Sequence, residues 1–289
     1  MNKQLRNIVF LPNTSKPIDS ALVHKLIYRM RSLGVTIRAD AACREYLPPD
    51  TECAFFTEDA SLFDGADAVL VLGGDGSIIE AARRSLGFGV PIAAVNCGRL
   101  GYLAEIEIEE LALIDQVIAG AYTVEDRIMM DVEIIREDAS IRFETPALND
   151  VVLSNGPITR LLSFELWCNG ELVENCYADG MILCTPTGST AYSRSAGGPI
   201  LDPMLDCVCV TPICPQTMTS YPVIFGGDCV LELKNMTSRG NDVYISVDGR
   251  DYLTLNGGDI VRIRRSASKT SLIRVKEGGF LRALRRKLS

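Results

Sequence analysis

The sequence has almost no histidine. His24 is the only one in 289 residues. It lies in the helical pattern Ile18-Asp19-Ser20-Ala21-Leu22-Val23-His24-Lys25-Leu26-Ile27-Tyr28, at a surface or boundary position. Unless that helix lines a site, a general base must therefore be a carboxylate. Long apolar runs are also missing. No stretch reaches the roughly 18 residues that a membrane span needs. Near the start, Ile8-Val9-Phe10-Leu11 stops at Pro12, too short for the apolar part of a signal peptide. The expectation is a cytoplasmic protein with reduced thiols. There is no basic excess. The net charge of −8 argues against general binding to nucleic acid or to an anionic membrane. The ten cysteines contain no CxxC pair, and Cys207-Val208-Cys209 alternates like a strand. They read as buried thiols, with no dedicated metal site. Internal repeats and low-complexity tracts are absent.

The length allows one large or two ordinary domains, and 47% hydrophobic with 23% charged residues is the balance of a folded protein. The most informative stretch is Ala68-Val69-Leu70-Val71-Leu72-Gly73-Gly74-Asp75-Gly76-Ser77. Five apolar residues read as a strand buried on both faces. Glycines directly after such a strand allow positive φ and close approach of a ligand. Ser77-Ile78-Ile79-Glu80 fits a capping box, which predicts a helix starting there. Strand, glycine turn and helix N-terminus form an anion site suited to phosphate. Asp75 would be repelled by that phosphate, so it reads as the group that accepts a proton from, or orients, a hydroxyl. Taken alone, the turn also fits a tight βα connection with an aspartate cap.

Along the chain, Asn7 to Pro12 reads as a strand, Ser20 to Leu33 as a helix ending at Gly34, and Val35 to Ile37 as a second strand. Asp59 to Ala66 reads as a short connection and Val90 to Val95 as a further strand. This alternation predicts a doubly wound parallel sheet. Glu105 to Ala119 is amphipathic and predicts a helix. From Met130 onward, alternating strands and the turn signals Cys168-Asn169-Gly170, Val247-Asp248-Gly249 and Asn256-Gly257-Gly258 predict an all-β, sandwich-like region. The expected class is α/β plus all-β: residues 1–125 a nucleotide-binding α/β domain, 126–265 a β-sandwich domain. The basic tail from Ser266, with Arg282, Arg285, Arg286 and Lys287, reads as a solvated terminal helix.

A second unusual block runs from Asp179 to Ile200 and contains Thr185-Pro186-Thr187-Gly188-Ser189-Thr190-Ala191-Tyr192-Ser193-Arg194-Ser195. Such a loop offers hydroxyl and backbone N–H donors to a polar ligand, and Tyr192 adds a ring for a base. Alone, it also fits a turn-rich β connection.

Together with Gly73-Gly74-Asp75-Gly76, Ala147-Leu148-Asn149-Asp150-Val151-Val152 and Pro212-Ile213-Cys214-Pro215, this block resembles the NAD kinases, in order and over most of the chain. Diacylglycerol kinases and phosphofructokinases share a glycine–aspartate turn but not the long hydroxyl-rich loop. The resemblance implies transfer of the γ-phosphoryl of ATP, or of polyphosphate, to the 2′-hydroxyl of the adenosine ribose of NAD, giving NADP. It implies that the C-terminal segment 266–289 returns to the first domain. It makes Asp75 the proton acceptor and Gly73, Gly74 and Gly76 the phosphate cradle. Asn149 and Asp150 would hold the adenosine portion, Asp179 a nicotinamide-side contact, and Thr187 with Thr190, Ala191, Tyr192, Ser193, Arg194 and Ser195 the adenine loop. Arg160, Tyr177 and Arg250 fall where the family often touches the dinucleotide.

The chain departs from the family at Asp150, where Glu is usual, and at Gln216 and Tyr221, where His and Arg are usual. A divalent cation, Mg2+, is expected to arrive on the ATP phosphates. A homodimer or homotetramer built through the β domain is expected, because strand edges and an apolar face need cover. Two other readings stay open: a kinase of a lipid or sugar hydroxyl, and a non-catalytic NADP-binding sensor.

Overall fold

The structure, a computed structural model, describes the chain apart from residues 1, 15–18, 50, 99–100, 157–160, 218–219, 238–241 and 289, and the side chains of residues 251, 252 and 288. It divides into two compact units, residues 1–126 with 270–289, and residues 127–269.

The first unit is built on β1 (Asn7–Pro12), β2 (Thr36–Asp40), β3 (Cys53–Phe56), β4 (Ala68–Leu72) and β5 (Ile92–Asn96). They pair in parallel in the order β3-β2-β1-β4-β5. Every residue of β4 and β5 is buried, which is why both strands read as unbroken apolar runs. α1 (Ser20–Ser32) and α4 (Leu113–Ile118) cover one face. Leu26, Ile27 and Met30 of α1 and Ile114 and Val117 of α4 join Phe10, Ile37, Leu70 and Leu72 in one cluster. Val69 and Val71 alternate to the other side and are fully buried. α2 (Asp59–Phe63) packs beside β3, and α3 (Asp75–Arg84) on β4 and β5. This is the doubly wound α/β sheet expected from the alternation.

Local details differ from the sequence reading. The connection from Asp59 contains α2, and β3 lies in a stretch with no clear strand pattern. Glu105 to Ala119 is not one helix. It comprises the short strand β6 (Ile106–Glu107), a 3-10 turn (Ile108–Glu110), and α4. Glu107 caps that turn in a capping box with Glu110, which breaks the helix before it can run through.

The second unit is two antiparallel layers. One contains β7 (Thr123–Ile135), β8 (Ile141–Ala147), β10 (Leu162–Cys168) and β11 (Glu171–Ala178). The other orders β14 (Val223–Gly226), β13 (Cys207–Ile213), β12 (Gly180–Cys184), β9 (Asp150–Asn155), β16 (Val243–Val247) and β17 (Arg250–Leu255). β15 (Leu231–Asn235) pairs with β10 in the first layer. Inward residues of both layers, among them Val132, Phe164, Leu233, Leu153, Met181 and Ile245, share one core. α5 (Tyr192–Ser195) is the short helix of the hydroxyl-rich loop.

β18 (Ile260–Arg274) begins beside β15 and ends in the first unit, where Leu272 pairs in parallel with Ile92. The basic tail is thus strand as far as Arg274, and only then α6 (Gly279–Leu288). Ser266 to Arg274 reads as strand because its buried positions come largely every second residue.

Candidate functional site

The first cluster of candidate residues stands where the chain order reverses in the parallel sheet. β1 and β4 are neighbours there, and the chain leaves them to opposite sides, the place where open α/β sheets bind ligands. The turns after the two strands meet: the Asn13 N–H donates to the Leu72 carbonyl at 2.9 Å.

The helix starts earlier than the capping-box pattern suggests. α3 begins at Asp75, with Gly74 as its N-cap. None of Gly73, Gly74 and Gly76 has positive φ. Close approach, not left-handed backbone, explains Gly73: a Cβ there would collide with the Ser77 side chain. Its N–H donates to the Val95 carbonyl at 2.9 Å and is used by the sheet. The N–H groups of the first helical turn, from Asp75 onward, are the ones a helix cannot satisfy internally. A Cβ on Gly74 or Gly76 would meet nothing within 4 Å, so neither glycine is dictated by internal packing.

Asp75 is half-buried at the first helical position. Its Oδ2 accepts the Tyr102 N–H at 2.8 Å and its Oδ1 the Leu103 N–H at 3.1 Å. A Cβ on Gly101 would overlap the carboxylate, so glycine is required for this approach. A carboxylate offers about four lone-pair positions. Two are used here, and the remainder can accept from a hydroxyl. The sequence reading did not single out this supporting loop. The signal was present: Gly98 and Gly101 follow closely on a buried parallel strand, as Gly73 and Gly74 do.

The second cluster lies in the second unit. Asn149, Asp150 and the hydroxyl-rich block come together. Thr185 donates through its N–H to the Asn149 carbonyl at 2.9 Å and through its Oγ1 to the Leu148 carbonyl at 2.6 Å. Gly188 lies so close to the Asn149 backbone that a Cβ would overlap it. The Asn149 Oδ1 is buried and has no hydrogen-bond partner among the described residues. A buried amide oxygen left unpaired is costly, so a ligand donor there would repay it.

Within the block the residues divide. Tyr192 is 46% exposed and free to meet a planar group, and Arg194 and Ser195 are exposed as well. Thr190 and Ala191 are partly buried. Ser193 is fully buried, its hydroxyl 2.9 Å from that of Thr211, and Thr187 is buried and accepts from the Arg127 guanidinium at 3.2 Å. Those two side chains hold the loop's shape. Asp179 opens the block half-buried. Tyr177 is exposed on β11, and its carbonyl accepts the Gln216 N–H at 2.8 Å. Arg250 is exposed after the β16–β17 turn. Arg160 lies outside the described residues. Tyr221 is 68% exposed.

Asp248 was legible only as part of a turn. It and Gly249 both have positive φ, the signature of a tight Asp-Gly hairpin. Its carboxylate accepts three N–H groups: Leu148 at 2.8 Å, Asn149 at 2.7 Å and Asp150 at 3.1 Å. Loss of solvent raises the pKa of Asp248, against the pull of those amides. Burial, and then the neighbouring Asp248 charge, push Asp150 up to about 7. Asp150 is only 6% exposed.

Two family models match: the ATP-NAD kinase N-terminal domain over residues 13–122 and the ATP-NAD kinase C-terminal domain over residues 148–275. A protein named NAD kinase from Symbiobacterium thermophilum is 37% identical over 279 residues, 96% of this chain and 96% of that one. One of the same name from Natranaerobius thermophilus is 38% identical over 286 residues, 99% of this chain and 98% of that one. The crystal structure of yeast NADH kinase complexed with NADH matches with a TM-score of 0.89 and 25% identity, over 99% of this chain and 88% of that one. The structure of an NAD kinase from Archaeoglobus fulgidus in complex with ATP shares the fold, with a TM-score of 0.73 and 20% identity over 98% of each chain. The two family models together span most of the chain, and both named relatives exceed 30% identity over nearly its whole length, so the chain belongs to the ATP-NAD kinase family.

Proposed function

We propose that this protein is an NAD kinase, transferring the γ-phosphoryl of ATP to the 2′-hydroxyl of the adenosine ribose of NAD to give NADP. The observation that carries the reading is the Asp75 carboxylate, held by two backbone N–H groups at the N-terminus of a ten-residue helix. The helix end favours phosphate, and the carboxylate has lone pairs left for a hydroxyl proton. With His24 on α1, no histidine lies in either cluster. In this reading the hydroxyl oxygen attacks the γ-phosphorus, the bond to the β-bridging oxygen breaks, ADP leaves, and Asp75 takes the proton.

The dinucleotide half rests on Asn149, Asp150, Asp179 and the loop from Thr187 to Ser195, with Tyr177 and Arg250 at the margin. Tyr192 supplies the ring, and the Asn149 Oδ1 supplies a buried acceptor without a partner among the described residues. The yeast relative holds NADH, so NADH is a second acceptor to compare. A divalent cation neutralises ATP phosphates during transfer. Among the described residues no group of three or more His, Cys, Asp or Glu side chains could hold a metal. In this reading the cation arrives on the ATP phosphates. The edge strand β11, with Leu172, Val173 and Tyr177 exposed, supports a homo-oligomer built through the second unit. Light scattering reads that state directly.

The deciding assay follows NADP formation from NAD with ATP and, separately, with inorganic polyphosphate. Turnover with either donor is the expected result. Tight NADP binding without turnover would overturn the reading in favour of a sensor.

A further inference from the structure

We infer that Arg274 is a positioning residue for Asp75, acting through the loop that holds the carboxylate; this rests on the catalytic role proposed above for Asp75. Asp75 does not set its own orientation. Both of its oxygens accept N–H groups from one loop, Tyr102 at 2.8 Å and Leu103 at 3.1 Å. Whatever fixes the plane of those two peptides fixes the plane of the carboxylate.

Arg274 grips that loop from behind. Its Nη1 donates to the Leu103 carbonyl at 2.8 Å. Its Nη2 pairs with Glu125 at 3.1 Å. The side chain is only 9% exposed, so it makes these bonds with little competing water. An arginine fork with one arm on a carboxylate and the other on a carbonyl has little freedom left. The backbone of Arg274 is fixed as well, because β18 is hydrogen-bonded to β5 two residues earlier, at Leu272. The relay is therefore Glu125 to Arg274 to the Leu103 carbonyl, and from the Leu103 N–H to Asp75.

α6 adds a second hold on the same loop. Phe280 lies 6.3 Å from the Tyr102 ring, and the Lys287 ammonium lies over that ring at 3.9 Å. The basic tail, which from sequence alone looks like a solvated helix, thus grips the loop that presents the reactive carboxylate. Arg274 touches none of the reacting atoms. Its role is to keep Asp75 in one orientation.

The test is a double-mutant cycle on the full-length protein. It uses Arg274→Met, Arg274→Lys and Asp75→Asn, and each Arg274 change combined with Asp75→Asn. The readouts are kcat, KM for NAD and for ATP, and the Kd for NADP. A misplacement of about 1 Å costs on the order of 10²-fold in rate, so Arg274→Met should lower kcat roughly 10- to 100-fold. KM and the NADP Kd should stay within about twofold, because the lost interaction matters only in the transition state. Arg274→Lys can reach the Leu103 carbonyl or Glu125 but not both, and should lose less.

In the Asp75→Asn background the Arg274 changes should lower kcat by less than about twofold, since residues acting as a unit are not additive. Equal losses in both backgrounds would overturn the inference, as would a loss confined to KM. If Arg274→Met does not fold, the cycle is read with Arg274→Lys, and an unchanged kcat for that variant overturns the inference. An undiminished kcat for Asp75→Asn alone would remove the catalytic assignment, and this inference with it. A strongly reduced but measurable kcat in Asp75→Asn, with the Arg274 losses still multiplying on top of it, would remove the inference only.

Discussion

Asp75 and Asp248 are both half-buried aspartates that accept backbone N–H groups from a neighbouring loop, yet they serve opposite ends. Asp75 accepts two, one on each oxygen, and keeps further lone-pair positions, which the proposed function gives to a substrate hydroxyl. Asp248 accepts three, from Leu148, Asn149 and Asp150, and its remaining capacity is small. In the first case the loop orients the carboxylate. In the second the carboxylate orients the loop, and the loop presents Asn149 and Asp150. The same hydrogen bond therefore reads as reactive or architectural according to how many acceptor positions are left over.

The sharpest separation comes from Asp75→Asn. The amide keeps size and one acceptor but cannot take a proton. Loss of a general base costs about 10²–10⁴ in rate, part of it lost orientation, since the transition state of phosphoryl transfer is loose. Removing a negative charge beside anionic phosphates should leave NADP affinity unchanged or improved. Turnover and the NADP Kd are measured on one folded variant, and a kcat within about threefold of wild type would falsify the role.

Asp248→Ala should show the reverse pattern. Three N–H groups lose their acceptor, and an orphaned buried donor costs about 1–3 kcal/mol, so stability should fall by about 3 kcal/mol or more. For a chain of this size that is a melting-temperature drop of several degrees, roughly 5–10 °C. The Asn149–Asp150 segment loosens, so NADP should also bind less well. A melting temperature within about 1 °C of wild type would mean that Asp248 does not pin the loop.

Much of the fold was visible in the sequence, because burial on both faces leaves a clear trace. β4 is five apolar residues ending in glycines, and β10 alternates as Leu162, Phe164 and Leu166 inward. β3, by contrast, is short and partly exposed, and carries neither signature. The start of α3 was misplaced because Ser77 and Glu80 mimic a cap while the real N-cap, Gly74, has no side chain to announce it. Of the candidate site, the Asp75 turn and the hydroxyl-rich loop were legible as local patterns. The partners that shape them were not. Arg274 reaches the Leu103 carbonyl across 171 positions, and Asp248 reaches Leu148 across 100. Long-range bonds to backbone leave no pattern in the neighbouring residues.

Within the hydroxyl-rich loop, exposed Tyr192 and buried Ser193 permit a finer contrast. Tyr192→Ala should raise KM for NAD about tenfold, since stacking of a base on an aromatic ring is worth on the order of 1–3 kcal/mol. KM for ATP should change little. A rise in the ATP KM instead would assign the loop to the donor.

The smallest effect expected is a pH dependence at Asp150, which adjoins Asp248. Burial, and then the Asp248 charge, raise Asp150 from 3.8 to about 7. A carboxyl group with a raised pKa binds its proton more tightly in the folded state. Its contribution to stability is therefore fully present below about 3.8, the pKa it would have in the unfolded chain, and is lost as pH rises through about 7. Binding should run the other way. A ribose hydroxyl donates best to the ionised carboxylate, so KM for NAD should fall as pH rises from about 6 to 8. The ionised fraction rises about tenfold over that range, but the neutral acid still has a carbonyl oxygen to offer, so about threefold is expected. Asp150→Asn has no proton to lose and should flatten this slope while leaving the kcat profile in place. A slope that survives in Asp150→Asn would show that another group titrates, and would leave the Asp150–Asp248 pair as a purely architectural feature of the loop.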